Sequence, residues 1–286
     1  MELSQLRMFK KITDNGSIAR AAEQLHCVPS NITTRIKNLE EELGEPLFIR
    51  KGRGLVLSPS GEVFLAYTNK ILSLCEEAKR SIGAGSSPIG TLSIGAIESS
   101  ATSRLPKLLS SYHLSYPAVN IEFSTDTWKN LENKVVKHEL DGAIIAVKTA
   151  HPSLHCEAIY WEDLVVIASS AFNNIESPES LVGKNIYMWP EGCPYRKALE
   201  NWLSESGISV PITSIASYGT IIGCVSSGAG VSLVPKGVFE QFKLIGGIKG
   251  YSFAALKPIH NYFIWNKETG HHPAKEAFLT LIKSEM

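Results

Sequence analysis

The chain has 286 residues, 44% of them hydrophobic and 20% charged, with 28 Lys and Arg balanced by 28 Asp and Glu. Such a length accommodates about two or three domains with ample core, and zero net charge excludes a protein that coats nucleic acid by charge alone. Five cysteines (Cys27, Cys75, Cys156, Cys193 and Cys224) lie far apart with no C-x-x-C pair. The start, MELSQLRMFKK, has no apolar signal core, so the chain reads as soluble and cytoplasmic. No apolar run nears the ~18 residues that span a bilayer, and no membrane partner is expected.

Leu3, Leu6 and Phe9 begin a helical stripe that stops at Asn15-Gly16, a C-cap signal. Ser17 suits the N-cap of a second helix running to Leu25, and Pro29 suits the first turn of a third. In that third helix Ile32, Ile36, Leu39 and Leu43 make one narrow apolar stripe, ended by Gly44. EPLFIRKGRGLVLS then reads as a hairpin around a basic glycine turn. Ser58-Pro59 starts a fourth helix, in which Phe64, Tyr67, Ile71, Leu74 and Ala78 repeat with coiled-coil spacing. Such a seam either lies on its own domain or pairs with a second copy, and the helix length favours the second copy.

GAGSSPIG, residues 83–90, is a linker by composition. Beyond it TLSIGAI, VNIEFST, LDGAIIAV, LVVIAS, KNIYMW and ITSIAS read as strands. Helices are predicted near 102–113, 131–139 and 195–206, and at the C-terminus. This alternation predicts an α/β fold with mostly parallel strands.

The third helix raises the functional question. Opposite its apolar stripe stand Ser30, Thr34, Lys37 and Asn38, flanked by Thr33 and Arg35, while Glu40, Glu41 and Glu42 gather at the far end. Residues 1–90 carry 12 Lys and Arg against 10 Asp and Glu, a surplus of only two, so position matters more than total charge. A helix with an acid-free N-terminal half can enter a major groove, where hydroxyls, amides and Lys37 reach base edges. Arg50, Lys51 and Arg53 on the hairpin suit the neighbouring backbone, as a wing. The run GSIARAAEQLHCVPSNITTRIKNLEEELGEPLFIRKGRGLVLSPSG resembles the DNA-binding head of LysR-type transcriptional regulators. It matches their pattern at Gly16, Ser17, Ala21, Ala22, Leu25, Leu39, Glu40, Leu43, Gly44, Leu47, Phe48, Arg50 and Gly61. ELDGAI and SSGAGVSLVP resemble the family's effector domain.

The resemblance implies a winged helix-turn-helix over 1–58, a dimerising linker helix over 59–82, a hinge over 83–90 and an effector domain over 91–286. That domain would have two α/β lobes of periplasmic-binding-protein type, 91–162 plus 262–286 and 163–261. The implied partners are double-stranded DNA with a pseudo-palindromic operator, a small effector, a second copy or a tetramer, and RNA polymerase. Pro29 stands where many relatives carry a base-reading Gln, which shifts reading toward Ser30, Asn31, Thr33 and Thr34, with Ser17, Arg35 and Lys37 as further DNA contacts.

In the lobes, the helix starts IESSATSR and WPEGCPYRK should face the cleft at the strand ends. Ser99, Ser100 and Thr102 on one side and Cys193, Tyr195 and Arg196 on the other are candidate effector contacts, and helix starts with hydroxyls favour an anion. By family alignment Trp128, or Thr127 in another register, falls where relatives touch effector, and Lys148 is a further anion partner. No motif of a nucleotide-binding, hydrolytic or metalloprotease enzyme occurs. HPSLHC and His271-His272 lack a second half with metal-ligand spacing. The expectation is a ligand-responsive, sequence-specific regulator without catalytic residues, cofactor or metal.

Overall fold

Apolar spacing and capping set the N-terminal helices. α1 (Leu3–Asn15) turns Leu6, Phe9 and Ile12 inward. The Glu2 N–H donates to the Gln5 side chain over 2.7 Å, closing a capping box. Gly16, at φ +61°, ends the helix in the left-handed conformation that glycine adopts without strain. α2 (Ile18–Gln24) buries Ala21 and Ala22. Ser17 occupies its N-cap position, but its hydroxyl makes no capping bond, contrary to expectation. α3 (Pro29–Leu43) buries Ile32, Ile36 and Leu39. Leu43, expected to continue that stripe, is exposed on the last turn. β1 (Phe48–Lys51) and β2 (Gly54–Leu57) pair antiparallel as the wing. The Leu55 N–H donates to the Gly16 carbonyl over 3.2 Å, so the wing is pinned to the turn that precedes α2.

The structure, a computed structural model, describes residues 1–52, 54–82, 88–172 and 174–285. These form two compact units, one of Met1–Gly85 with Lys137–Glu139 and Thr269–His272, the other of the remaining residues. Arg53 and most of the expected hinge, 83–87, lie outside the described residues.

α4 (Pro59–Ile82) leaves the head through a tight knot. Ser58 Oγ accepts the Gly61 N–H over 2.9 Å and donates to the Pro46 carbonyl. A Cβ on Gly61 would overlap the Leu47 carbonyl, so only glycine allows the helix to pass this close. Glu40 of α3 accepts the Leu47 and Phe48 N–H groups, at 2.7 and 3.3 Å. Phe64 packs edge-on against Phe9, ring centroids 5.1 Å apart, and belongs to the head's own core. That corrects its placement on the outer seam. The exposed apolar side chains of α4 are Val63, Tyr67 and Leu74, at 63, 63 and 61% exposure, with Ala78 exposed and Ile71 half-buried at the edge.

The second unit begins with β3 (Gly90–Ala96), α5 (Glu98–Ser103), α6 (Leu105–Ser115), β4 (Val119–Thr125), α7 (Trp128–Val136) and β5 (Gly142–Ile145). The helix expected over 102–113 is two helices, broken at Arg104. Pro106 has no N–H for the fourth preceding carbonyl, so one continuous helix cannot pass through it. The chain continues with β6 (Leu154–Glu162), β7 (Leu164–Ser169), β8 (Ile186–Met188), α8 (Pro194–Glu205), β9 (Ile212–Ser214), α9 (Tyr218–Ser226), β10 (Val231–Pro235), α10 (Lys236–Phe242), β11 (Ile248–Tyr251), β12 (Ile259–Asn266) and α11 (Pro273–Glu285).

Two five-stranded sheets result, ordered β4-β3-β5-β12-β6 and β11-β7-β10-β8-β9. Each combines parallel pairs with antiparallel ones, which corrects the mostly parallel expectation. The chain crosses between lobes at Asp163 and again before Ile259, three residues earlier than expected. At the first crossing the buried Glu162 accepts the Gly237 N–H over 2.8 Å and pairs with Arg104 over 3.1 Å.

Glu40→Ala removes the acceptor shared by two backbone N–H groups, a loss of about 1–3 kcal/mol locally. The expected result is amide exchange at Leu47 and Phe48 faster by about tenfold or more, with Glu40→Gln close to the parent chain, as read by hydrogen-exchange mass spectrometry.

Candidate nucleic-acid interface and ligand cavity

On α3 the side chains of Ser30, Asn31, Thr33, Thr34, Lys37 and Asn38 are all exposed. Thr33 Oγ1 donates to the Pro29 carbonyl over 3.0 Å, which leaves its lone pairs outward. Lys37 lies 3.6 Å from Glu41, both groups open to solvent, a weak pairing that a phosphate can displace. Arg35 is turned away: its guanidinium bonds to the Glu2 carboxylate at the start of α1. Arg50 and Lys51 are exposed on β1 and form no ion pair among the described residues. Ser17, with a hydroxyl that no described residue engages, shares a groove with Arg50, Gly52 and Leu55. The exposed polar face of α3 and the wing cations therefore belong to one compact unit.

The second unit contains a cavity of about 220 Å³ between its lobes. It is fed by the C-terminal ends of four parallel strands. β3 leads into Ile97, Glu98 and Ser99, and β4 into Asp126, Thr127 and Trp128; β8 leads into Trp189, and the loop after β9 supplies Ala216 and Tyr218. Of the residues expected to touch ligand, Ser99, Thr127, Trp128, Cys193 and Tyr195 line it. Ser100 lies beneath, its hydroxyl 2.7 Å from that of the buried Tyr160. Thr102 and Lys148 do not line it. Arg196 is buried behind it, bonded to Glu200 and to Ser214, both at 2.8 Å. Sequence reasoning missed Glu98, Asp126, Trp189 and Tyr218. The available signal was the rule that residues just past parallel strands line ligand sites; only two of the four strand ends were read that way.

Three side-chain bonds join lobe to lobe at the cavity. Trp128 Nε1 donates to the Gly192 carbonyl over 2.9 Å, and the Ser99 and Tyr195 hydroxyls lie 3.3 Å apart. Tyr195 also reaches Asn261 Oδ1, at 3.4 Å. Burial pushes the Tyr195 and Tyr218 hydroxyls well above the usual phenol range. Burial also raises the Cys193 thiol, partly opposed by the Arg196 and Tyr195 N–H groups. For Asp126, burial acts upward, but bonds from Lys134, Asn130 and the Thr127 N–H prevail and hold it below the usual carboxylate range. Among the described residues no three His, Cys, Asp or Glu converge as metal ligands, and no helix is long and apolar enough to cross a membrane.

Residues 3–62 match the family model for the bacterial regulatory helix-turn-helix protein, lysR family, and residues 85–286 match that for the LysR substrate binding domain. The chain belongs to the LysR family of transcriptional regulators. Its relatives extend along the full length. It is 38% identical to YusT of Bacillus subtilis strain 168, described as an uncharacterized HTH-type transcriptional regulator, over 98% of this chain and 94% of that one. It is 34% identical to the transcriptional regulator GltR of the same strain, over 98% and 95%. In fold it is similar to a full-length OxyR variant from Pseudomonas aeruginosa (TM-score 0.80, 23% identity, 100% and 99% covered). It is also similar to full-length CbnR in complex with its target DNA (TM-score 0.71, 22% identity, 100% of both chains). The regulator thus joins a DNA-binding head to a two-lobed α/β domain for small effectors.

Because burial raises the Cys193 thiol, less thiolate is present at pH 7 than for an ordinary cysteine. Its alkylation by iodoacetamide should be slower than that of a free thiol at pH 7, and should still be climbing at pH 9. Trp128→Phe keeps the ring and deletes the bond to Gly192. The expected cost is about 1 kcal/mol, seen as a lower urea midpoint for the effector domain at unchanged slope.

Proposed function

We propose that this regulator binds a pseudo-palindromic operator as a dimer, or a pair of dimers, joined through α4. Ser30, Asn31, Thr33, Thr34 and Lys37 enter the major groove; Ser17, Arg50, Lys51 and Arg53 meet the flanking phosphates. The observation that carries this reading is the acid-free, exposed N-terminal half of α3 on a helix whose opposite face is locked into the core. Arg35, held by Glu2, serves the fold in this reading rather than the DNA. The exposed stripe of Val63, Tyr67 and Leu74, with Ala78, is the seam that a second copy covers; large apolar side chains so placed on one helix face mark an interaction site.

The cavity is the effector site in this reading, with Ser99, Thr127, Trp128, Tyr195 and Tyr218 as contacts. Trp128 and Ser99 hold the lobes together across it, so a ligand that prefers one degree of closure shifts the population of lobe arrangements. The reading is of binding, not catalysis: burial keeps Tyr195, Tyr218 and Cys193 protonated near neutral pH, so none of the three is a ready nucleophile. Work in the cytoplasm and contact with RNA polymerase complete the proposal.

Thr34→Ala combined with Lys37→Ala is expected to abolish operator binding in a gel-shift assay while sedimentation still shows the parent oligomer. The single Lys51→Ala change should weaken all duplexes alike and lower the slope of log affinity against log salt by about one. Unchanged operator affinity in the double variant would remove α3 from the interface. Leu74→Asp should dissociate the seam, since two copies would bring carboxylates into an apolar contact.

A further inference from the structure

Resting on the reading of the cavity as the effector site, we propose that its ligand is a small organic cation, an ammonium-bearing metabolite, and not an anion. Three carboxylates line the space, those of Glu98, Asp126 and Glu191, against one cation, Lys129. They are not equivalent. Asp126 is neutralised by Lys134 at 2.8 Å, and Glu191 stands on the rim, 89% exposed and 3.7 Å from Arg196. Glu98 is half-buried at the end of β3 and has neither a hydrogen-bond nor an ion-pair partner among the described residues. A partly buried carboxylate with no cation beside it attracts positive charge, and an ammonium group seated in the cavity supplies that partner.

Of the cations near the space only Lys129 lines it, exposed and without an ion pair among the described residues; the others are committed elsewhere. Lys129 Nζ lies 5.5 Å over the Trp128 ring. Arg196 is spent on Glu200, Ser214, the Trp189 carbonyl and Glu191. Lys148 does not reach the space.

The walls agree with the charge. Trp128, Trp189, Tyr195 and Tyr218 give the cavity four aromatic rings, Trp189 and Tyr218 tilted 56° with centroids 5.3 Å apart. Ring faces attract an ammonium group and repel a carboxylate, most strongly where water is excluded. Tyr218 is 2% exposed, lines the cavity and directs its hydroxyl to no other described residue. The Trp189 Nε1–H is likewise buried without a partner. The Tyr218 hydroxyl oxygen can accept an N–H from an ammonium group. At about 30 Å³ per water, the volume holds about seven waters, hence a ligand of similar heavy-atom number.

The test uses the full-length protein and three matched probes: benzylamine, benzyl alcohol and benzoate. Binding is read at pH 7 from tryptophan fluorescence and from the rise in melting temperature. The expected order is amine over alcohol over benzoate. In Glu98→Gln the amine should lose about tenfold or more in affinity while the alcohol binds as before, which shows that the cavity remains formed. Benzoate binding more tightly than the amine would overturn the proposal. So would an unchanged amine-to-alcohol ratio in Glu98→Gln, or no probe binding at millimolar concentration to protein that still binds DNA. Operator affinity with each probe separates the two claims. Glu98-dependent amine binding that leaves operator affinity unmoved keeps the charge assignment and removes the effector reading. Benzoate binding that moves operator affinity does the reverse.

Discussion

The backbone of a single residue, Leu47, ties the parts of the DNA-binding head together. Its N–H is fixed by Glu40 of α3, and its carbonyl accepts the Ser58 N–H, 3.0 Å away, at the foot of α4. Gly61 lets α4 pass against that same carbonyl, and the Leu47 side chain is fully in the core. The recognition helix, the wing and the long helix therefore meet in one hydrogen-bonded joint, with their relative angles fixed by short bonds to backbone. A protein that reads two half-sites at once needs this rigidity, because the error in placing one helix is carried into the spacing of both. The joint also explains why the matched pattern contains Glu40, Leu47 and Gly61, each of which serves a contact within the head.

The second unit solves a different problem. Two small sheets are joined by two chain crossings, and the ends of their parallel strands open into a shared cavity. The bonds spanning it are few: one indole N–H to a carbonyl, one hydroxyl pair, and the Tyr195 hydroxyl to Asn261. Each is worth about 1 kcal/mol, small enough for a ligand to outweigh. The arrangement suits a switch, since strong lobe-to-lobe packing across the cavity would hold one arrangement whatever the ligand.

Most of the head was legible in the sequence because its signals are local: a glycine C-cap, a proline at a helix start, a basic hairpin and a 3.6-residue apolar period. Where reading failed, a distant partner decided. Leu43 keeps the period of α3 but runs past the edge of the core. Phe64 fits a coiled-coil spacing yet is claimed by Phe9 of another helix. Arg35 falls on the flank of the polar face, and only the fold reveals Glu2 beside it. In the second unit β6, β11 and β12 escaped notice. The edge strand β6, LHCEAIYWE, mixes polar and apolar residues without clean alternation, and its antiparallel partner β12 lies about a hundred residues later. The cavity was half legible: Trp128, Ser99 and Tyr195 were found from strand ends and family pattern. Its polar pairings were not, because only the fold brings Arg196 against Ser214 and Arg104 against Glu162.

The central claim, that α3 reads sequence from a rigid dimeric head, is tested most directly by selecting bound duplexes from a random pool with the full-length protein. The account predicts enrichment of one inverted repeat whose half-sites lie about one or a whole number of helical turns apart, and loss of that enrichment when the polar face of α3 is replaced by alanine. A folded, dimeric protein that enriches no repeat, or that enriches the same repeat after the replacement, would contradict it.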